Sequence, residues 1–442
     1  MNVRPVVFSV LFLLTMVVVP TFSQANAVET TSDTLSLSRA YELVLEQNEN
    51  VQQSRQDVES AQEDRTIARS ELLPEFNLFG EVIGQKQSSQ FGTDVPGDEV
   101  NYGVVGRQSI YQGGSVWEGL DVAENRLEQQ RKNFFRDRQN IMFDMATRYY
   151  TVLLTRRSVE IAESALRRAR DQLRLAEGRF EAGVVTKTAL LRARVDVADA
   201  REQLQRARND FDVTRESLAV ELGIDNLDRP LKEVRQDTFR GKSMSHYESV
   251  AMDKRRDLER ASLEVEAQQG EVEIERADWW PDLDAVARYE RYEEEFFRGD
   301  DQNWQFTLDV SYPLFNGFRD SSEIQKAREQ KKQSQQALER RRREIRLEVR
   351  EAFLDVRTQR SVIESLEEQM ESARQNFEQV QGEFEAGVTS SVDVTDALTA
   401  LTEAELRLAQ ARYQLQIDLL ALKLATGEFQ ENMLAGLSPK GK

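Results

Sequence analysis

Two acidic residues near position 393 have a spacing that could serve a specific chemistry. Asp393 and Asp396 stand three positions apart close to the start of a predicted helix, so they share one helix face. Carboxylates that point together into a narrow pore attract cations, and their mutual repulsion raises some of their pKa values. The alternative is that acids in a first helical turn only complement the helix dipole. The residues alone leave both interpretations open.

The sequence has few residues that could support other kinds of chemistry. The 442 residues include no cysteine and one histidine, His246. Thiol nucleophiles and cysteine metal sites are thereby excluded, and a catalytic triad or zinc site would have to be built around His246 alone. Composition does not exclude chemistry that uses carboxylates alone, but the sequence shows no phosphate loop, no plausible triad and no metal cluster. We therefore predict that the protein is not an enzyme and has no catalytic residue, metal site or cofactor. His246 is interpreted as structural, and the basic run 340–343 as a solvated helix face.

The charge and the N-terminal segment restrict the partners and the compartment. A formal net charge of -19 argues against a nucleic acid partner, because phosphate binding needs a basic surface. Arg4, the apolar run 6–19 and the small-x-small sequence at 25–27 are typical of a secretory signal peptide, predicted over residues 1–27. The alternative of a membrane anchor is disfavoured, because the run is too short to span a bilayer comfortably.

The chain contains an internal repeat. The segment Phe-Glu-Ala-Gly-Val at 180–184 recurs 204 positions later, at 384–388. Around both copies the apolar residues step by four and three, which is the heptad pattern of coiled-coil packing. Alanine occupies alternate positions of the stripe and allows the helix axes to approach closely. The repeat predicts two similar halves built on paired helices.

Each half has long stretches with no proline, and these permit very long helices. Helices are predicted over residues 114–181 and 186–222 in the first half, and over 317–385 and 390–426 in the second. At about 1.5 Å per residue the longer ones approach 100 Å. Gly183 and Gly387 suit the left-handed turn that follows a helix end. Thr186 and Ser390 or Ser391 can cap the helices that follow.

Four strands precede the long helices. Each half begins with a shorter predicted helix, over 38–72 and 246–278, and strands are predicted over about 75–84, 101–111, 282–292 and 303–313. Apolar residues alternate strictly with polar ones in the last of these, as in a strand with one apolar face. Aromatic residues cluster at the strand ends, as they do at membrane interfaces: Tyr111, Trp279, Trp280, Tyr312 and Phe315. Two soluble hairpins packed on a core are the alternative.

The number of strands has a consequence for assembly. A membrane β-barrel needs about eight strands or more, so four strands in lipid require several chains to share one barrel. The predicted organisation is a signal peptide (1–27), a first repeat (28–223), an inter-repeat segment (224–247), a second repeat (248–427) and a short tail (428–442).

The sequence resembles the TolC family of outer-membrane efflux proteins over nearly all of the mature chain. The matching motifs are Leu-Ser-Leu-Ser-Arg-Ala at 35–40, Leu-Leu-Pro at 72–74, Pro-Leu-Phe-Asn-Gly at 313–317, the twin tips, and Ser-Val-Asp-Val-Thr-Asp-Ala at 391–397. The resemblance implies a mixed α + β membrane protein. Three chains would form a 12-stranded β-barrel on an α-helical barrel, with an equatorial collar that includes the inter-repeat segment and the tail.

The resemblance also implies a function. The protein is expected to be a passive exit duct of a tripartite efflux pump or type I secretion system, located in the outer membrane and extending into the periplasm. Its partners would be further copies of itself, a periplasmic adaptor, an inner-membrane transporter of RND, ABC or MFS type, and outer-membrane lipid. The competing hypothesis is a periplasmic or secreted coiled-coil structural protein without a pore, which membrane fractionation would distinguish.

The resemblance assigns roles to residues at the helical tips. Asp393 and Asp396 match the family's pore-constricting aspartates, whereas the first repeat has Ala189 and Arg192 at these positions. The family's gating tyrosine and arginine are replaced here by the gate-adjacent residues Phe384 and Thr389. The candidate adaptor-docking residues are Gly183, Val184, Gly387 and Val388. The alternative for the glycines is turn geometry alone.

Overall fold

The computed structural model describes residues 34–84, 98–234, 241–293 and 301–429. The predicted signal peptide lies outside the described residues. So do positions 85–97 and 294–300 of the predicted strand-connecting loops, positions 235–240 of the inter-repeat segment, and the tail from residue 430.

The same succession of elements occurs twice. The first half contains α1 (Leu37–Gln47), α2 (Glu49–Ser70), β1 (Glu75–Gly84), β2 (Asp98–Gln112), α3 (Ser115–Glu181) and α4 (Lys187–Leu222). The second contains α5 (Met244–Lys254), α6 (Arg256–Ala277), β3 (Asp282–Glu293), β4 (Asp301–Ser311), α7 (Arg319–Ala386) and α8 (Ser391–Ala425). The helices α3 and α7 have 67 and 68 residues, which makes each roughly 100 Å long. In the described part of the chain, no helix is both long and apolar enough to cross a membrane.

The prediction of one helix over 38–72 and one over 246–278 was wrong. Each is two helices, broken at Asn48 and at Arg255, where the backbone is extended (ψ 127° and 114°). The side-chain amide of Asn48 donates to the Glu221 carbonyl at the end of α4 (2.9 Å). Arg255 donates to the Ala425 carbonyl at the end of α8 (3.1 Å). These bonds satisfy carbonyls that a helix end leaves unpaired. They also hold the first break against the end of α4 and the second against the end of α8.

The four strands form one antiparallel sheet in the order β1-β2-β3-β4. The two hairpins are therefore joined through β2 and β3, and β1 and β4 each pair on one side only within the described residues. The register aligns Phe76 with Gly106, Gly106 with Ala287, and Ala287 with Phe306. One face of the sheet is apolar and exposed, with Phe76, Leu78, Val82, Trp304, Phe306, Leu308 and Val310.

The opposite face of the sheet is polar. Arg288 and Glu290 lie there within 3.4 Å of each other, and Asn303 donates to Glu290 (3.1 Å). The Arg288 guanidinium also lies 4.9 Å from the ring centre of Phe79. The alternation of the sequence thus produces a sheet that is apolar on one side and charged on the other.

The largest core lies at the middle of the long helices. Met142, Met145, Tyr149 and Leu153 of α3 pack with α1, α4 and the inter-repeat segment. The Tyr149 hydroxyl lies 2.8 Å from the Leu35 carbonyl oxygen and 2.7 Å from that of Lys232. The hydroxyl, which has one proton to donate, therefore links α3 to the start of the first repeat and to the inter-repeat segment.

The long helices pair as hairpins. α3 packs along α4 and α7 along α8, with small residues such as Ala162, Ala169 and Ala200 at the α3–α4 contact. The two hairpins meet where α3 contacts α8. The helices α4 and α7 consequently lie at the two outer edges of the helical layer.

Candidate functional site

Both helical tips are built by a glycine turn. Gly183 and Gly387 have positive φ (74° and 80°), a conformation that favours glycine. The Val184 amide donates to the Arg179 carbonyl, and the Val388 amide to the Glu383 carbonyl (both 2.9 Å). This is the glycine-terminated helix end expected from the sequence, so backbone geometry alone requires both glycines.

The residues after the two glycines project outward. Val184 is 67% exposed and Val388 is 78% exposed. Next to them the Thr186 hydroxyl caps α4 by accepting from the Ala189 amide (3.3 Å). The tips thus present an exposed apolar side chain on a hydrogen-bonded glycine turn at each hairpin end.

Asp393 is part of the cap of α8. Its Oδ2 accepts from the Thr389 hydroxyl (2.8 Å), the Ser390 hydroxyl (2.6 Å) and the Ser390 amide (3.0 Å). The Ser390 side chain accepts from the Asp393 amide in return, which completes a capping box. Bonds from Ser390 and then Thr389 hold the pKa of Asp393 below its usual range. Thr389, which the sequence analysis predicts to be gate-adjacent, therefore contacts Asp393 directly.

Asp396 lies one turn further along α8. Asp393 and Asp396 are both exposed, while Val394 and Ala397, each directly after one of them, are buried. The structure therefore brings both carboxylates to the exposed side of α8. The neighbouring Thr395 hydroxyl points the other way and donates to Asp196 of α4 (2.7 Å).

Phe384 is a buried core residue and is only 4% exposed. It packs against Phe377 of α7 and against α8. The Arg179 guanidinium lies over its ring, 4.8 Å from the ring centre. Arg179 also donates to the carbonyl oxygens of Phe384 and Glu385. A cation at these carbonyls complements the negative end of the α7 dipole.

Arg179 was not identified from the sequence. The signal was present, however, because the repeat places Glu383 at the matching position of an otherwise similar tip. A second contact that sequence analysis missed joins α3 to α8. Arg168 binds Glu405 through two bonds of 2.9 and 3.2 Å, with side chains 29% and 16% exposed.

One basic residue interpreted as solvated has a different environment. Arg341 donates twice to Asp257, at 2.5 and 3.0 Å, and Asp257 also accepts from the buried Arg255 (2.5 and 2.8 Å). Burial alone would raise the pKa of Asp257, but the bonds from Arg255 and Arg341 outweigh it and hold that pKa far below its usual range. For Arg341 the prediction of a solvated side chain was wrong, because α6 covers it.

Among the described residues, three carboxylates lie close enough together to be considered as cation ligands. Oxygen atoms of Glu275, Asp278 and Glu323 are all within 4.8 Å of one another, at the end of the helices next to the sheet. Burial, and then repulsion from Glu323 and Asp278, raises the pKa of Glu275. The pair Glu275 and Glu323 is thus electrostatically unfavourable as it stands.

The family model described as "Outer membrane efflux protein" matches residues 40–223 and 249–428. Outer membrane protein TolC of Salmonella enteritidis is 24% identical over 422 residues, covering 92% of this chain and 85% of that protein.

Two further matches extend the comparison. Alkaline protease secretion protein AprF of Pseudomonas aeruginosa is 25% identical over 395 residues, covering 86% of this chain and 82% of that protein. The solved structure of the Campylobacter jejuni CmeC outer membrane channel superposes with a TM-score of 0.80 at 16% identity, covering 91% of this chain and 88% of that one. This structural likeness shows that the two chains share a fold.

Proposed function

The chain belongs to the outer membrane efflux protein family, and we propose that three copies of it form one passive duct across the outer membrane and the periplasm. It is an outer-membrane exit duct of an efflux or type I secretion system, and it is not an enzyme. Its relatives include both an outer membrane protein TolC and a protease secretion protein. The helices that follow the sheet are long enough to reach deep into the periplasm.

The sheet carries this proposal. Phe76, Phe306 and Leu308 are 71%, 78% and 63% exposed on one face of a single chain. In water such a face is unfavourable by about 25 cal/mol for each Å² of apolar surface, whereas lipid removes that cost. Among the described residues the outer edges of β1 and β4 have no partner strand, and lipid would not satisfy the backbone groups there. Three copies, joined β1 to β4, would close a barrel of twelve strands.

The outer helices support the same assembly. Val213 and Val220 of α4 are 59% and 76% exposed, and Leu347 and Leu354 of α7 are 55% and 43% exposed. Each pair is one heptad apart, so each forms an apolar stripe.

The residues of the two stripes lie at interleaving distances from the tips. Counted from the tip glycines, Val213 and Val220 stand at 30 and 37 residues, and Leu354 and Leu347 at 33 and 40. In an antiparallel pair of α4 and α7 these side chains would alternate along the contact. A second copy of the chain therefore fits this edge.

The tip would form the constriction of the duct. In a trimer, Asp393 and Asp396 of three copies would place six carboxylates around the axis, which favours cations. Their exposure on α8 supports this arrangement. The charge would come from the second repeat alone, because Ala189 and Arg192 occupy the matching positions of the first.

The partners follow from the surfaces. The exposed Val184 and Val388, on the turns at Gly183 and Gly387, would contact a periplasmic adaptor. An inner-membrane transporter of RND, ABC or MFS type would supply the energy, since the duct is passive. The apolar face of the sheet would contact outer-membrane lipid.

The mass of the protein extracted from outer membranes in detergent tests the assembly. Light scattering, with the detergent contribution subtracted, is expected to give a mass near three mature chains. A monomer found only in the soluble fraction would contradict the duct and favour a periplasmic coiled-coil protein without a pore. Deletion of the gene, followed by measurement of toxic-compound sensitivity and of secreted proteins, would then separate drug efflux from protein secretion.

A further inference from the structure

An open cavity with a volume of ≈ 1440 Å³ lies between α3, α6 and α7. Six basic side chains line the half of it that lies away from the sheet: Lys132, Arg136, Arg260, Arg340, Arg341 and Arg343. Four carboxylates line the same half: Asp137, Asp257, Glu264 and Glu344. In a chain with a net charge of -19, this half of the cavity thus has a local excess of positive charge.

Two of these arginines have no carboxylate partner. Arg260 and Arg343 are exposed, and neither forms an ion pair or a hydrogen bond with another described residue. Glu264, one turn from Arg260, accepts from Gln268 instead (3.2 Å). The carboxylate of Glu344, next to Arg343, pairs with Arg340 and Arg341 (3.5 and 3.0 Å). The charges of Arg260 and Arg343 are therefore available to a ligand.

Arg136 of α3 is a third, more deeply placed positive group in the cavity. Its guanidinium donates to the Leu424 carbonyl (3.3 Å). Burial, and then repulsion from Arg255, lowers the pKa of Arg136, although Asp257 acts in the opposite direction. An anion in the cavity would counter both effects, because it would pair a charge that burial and Arg255 disfavour.

The spacing of Arg260 and Arg343 suits a ligand with two anionic groups. The bond between Arg341 and Asp257 sets these two residues at the same height (2.5 Å). Arg260 lies three residues from Asp257 toward the sheet, and Arg343 lies two residues from Arg341 away from it, because α6 ends at the sheet and α7 begins there. The two positions differ by about 7–8 Å along the helices. Their guanidinium forks match phosphate and carboxylate oxygens.

The cavity opens on the side of α3 that faces away from the mid-helix core. Arg136 stands thirteen residues before Tyr149, which packs in that core with α1 and the inter-repeat segment. At 3.6 residues per turn the two side chains are about 140° apart around the helix. When helical layers close around an axis, the side without additional segments fits inward. The side with the cavity is therefore the one suited to line a duct.

We propose that this cavity is an anion-binding site on the inner wall of the duct, in which Arg136, Arg260 and Arg343 bind solutes that carry two or more phosphate or carboxylate groups. Arg343 lies 44 residues from Gly387 along α7, or about 66 Å, so the site is separate from the aspartates near the tip. Its position in the duct rests on the proposed function, whereas the cavity itself lies within one chain.

Calorimetric titration of the detergent-extracted protein tests the site, with inorganic pyrophosphate as the probe. The titration is done without divalent cations and at low salt, since salt screens exposed charges. The parent should bind pyrophosphate, and the double variant Arg260→Gln with Arg343→Gln should bind it about tenfold more weakly, because two charge-assisted contacts are lost. Circular dichroism checks that the variant is folded.

The matched control is Arg346→Gln with Arg357→Gln. Both arginines are exposed on α7 and lie outside the lining of the cavity, and the control removes the same charge. It should bind pyrophosphate as the parent does. Equal affinities in the cavity variant and the control, or no binding by the parent, would overturn the inference.

The contribution of Arg136 is tested by a substitution that keeps its charge. Arg136→Lys should weaken binding by about threefold, because an ammonium lacks the fork that matches an oxyanion. Arg138→Lys is the control, since Arg138 lies over the ring of Phe134 (5.6 Å) and outside the lining of the cavity. Equal affinities in these two variants would exclude Arg136 from the site.

The potassium current through planar bilayers tests the position in the duct. Pyrophosphate should lower the current of the parent and of the Arg346/Arg357 control by about twofold, and should leave the current of the cavity variant unchanged, because an anion bound on the inner wall obstructs the pore. Binding with no effect on the parent's current would overturn the position on the inner wall. A detergent-subtracted mass of one chain would instead refute the trimer, and the calorimetric result would still decide whether the cavity binds anions.

Discussion

At the scale of single residues, the two aspartates of the second tip are not equivalent. Asp393 accepts three hydrogen bonds in the cap of α8, so part of its role is local, as the helix-dipole interpretation expects. Asp396 is exposed one turn later and lies outside the cap. Substitutions can therefore separate a structural contribution from a contribution to the pore.

Neutralising these aspartates should change ion permeation. We expect Asp396→Asn to weaken block of the potassium current by multivalent cations while leaving thermal unfolding unchanged. Asp393→Asn should weaken the block and also lower the melting temperature slightly, because the cap loses charge-assisted bonds. Bilayer recordings and circular dichroism measure the two effects, with Asp171→Asn on the exposed face of α3 as control. A double variant that is blocked like the parent would refute a ring of carboxylates.

At the scale of elements, both repeats connect their short helices to a long helix in the same way. Asn48 and Arg255 interrupt the short helices and bond to the ends of α4 and α8. At those ends Gly223 and Gly427 have positive φ, and an added Cβ would lie 3.0 and 3.1 Å from a carbonyl oxygen of the neighbouring short helix. The side chain at the break is a neutral amide in the first repeat, Asn48. In the second repeat it is the buried Arg255, which belongs to an ion network.

The ion network predicts a pH-dependent stability. The side chain of Asp257 is 10% exposed and binds two arginines, so Asp257→Asn should lower the free energy of unfolding by about 2–3 kcal/mol at pH 7. The folded pKa of Asp257 is depressed, so its contribution is complete above the unfolded pKa of about 4 and is lost as the pH falls through the folded value.

Thermal unfolding at several pH values checks this expectation. The difference between parent and Asp257→Asn should be constant from pH 7 to about pH 5 and should narrow below about pH 4. Glu329→Gln on the exposed surface of α7 is the control and should have little effect at any pH. A difference that widens in acid would contradict the assigned role.

Lipid contact at the apolar face of the sheet can be tested on strand β4. Phe306 is 78% exposed on the apolar face, and Gln305 beside it points to the polar face. Phe306→Glu should remove the protein from the outer-membrane fraction, since a charged side chain that faces lipid is unfavourable. Gln305→Glu should leave it there. Equal membrane recovery of both variants would argue against lipid contact at this face.

At the scale of the whole molecule, a single chain leaves strand edges and apolar surface uncovered. In the part of the chain that the structure describes, the sheet has two edges without a partner strand, and the helical layer ends at α4 and α7, each with an apolar stripe. The whole sequence carries a formal net charge of -19. Apolar surface thus remains where further copies and lipid are expected to cover it.

A charge in the outer stripe should separate the copies. Val220→Asp would place an unpaired carboxylate in the proposed contact between α4 and α7, and a buried unpaired charge is strongly unfavourable. We expect the detergent-extracted mass to fall toward that of one chain while the helical circular dichroism is retained. Gln205→Asp, on an exposed part of the same helix, is the control. A trimer that tolerates Val220→Asp would place the contact between copies elsewhere.

The sequence determined the features that depend on local patterns. The long helices of the structure lie within two residues of the predicted bounds, because heptad spacing and glycine turns act over a few residues. The tip glycines and the caps at Thr186 and Ser390 were predictable for the same reason. The alternation of apolar and polar residues likewise indicated the strands.

Only the tertiary structure decided the contacts between distant segments. Asn48 at the first break bonds to the Glu221 carbonyl, Arg341 pairs with Asp257 of α6, and the pairing of β2 with β3 joins the two repeats. The contact of Arg179 with the end of α7 spans more than 200 positions of the chain. No local pattern encodes such contacts, because their energy depends on which side chains the folded helices bring together.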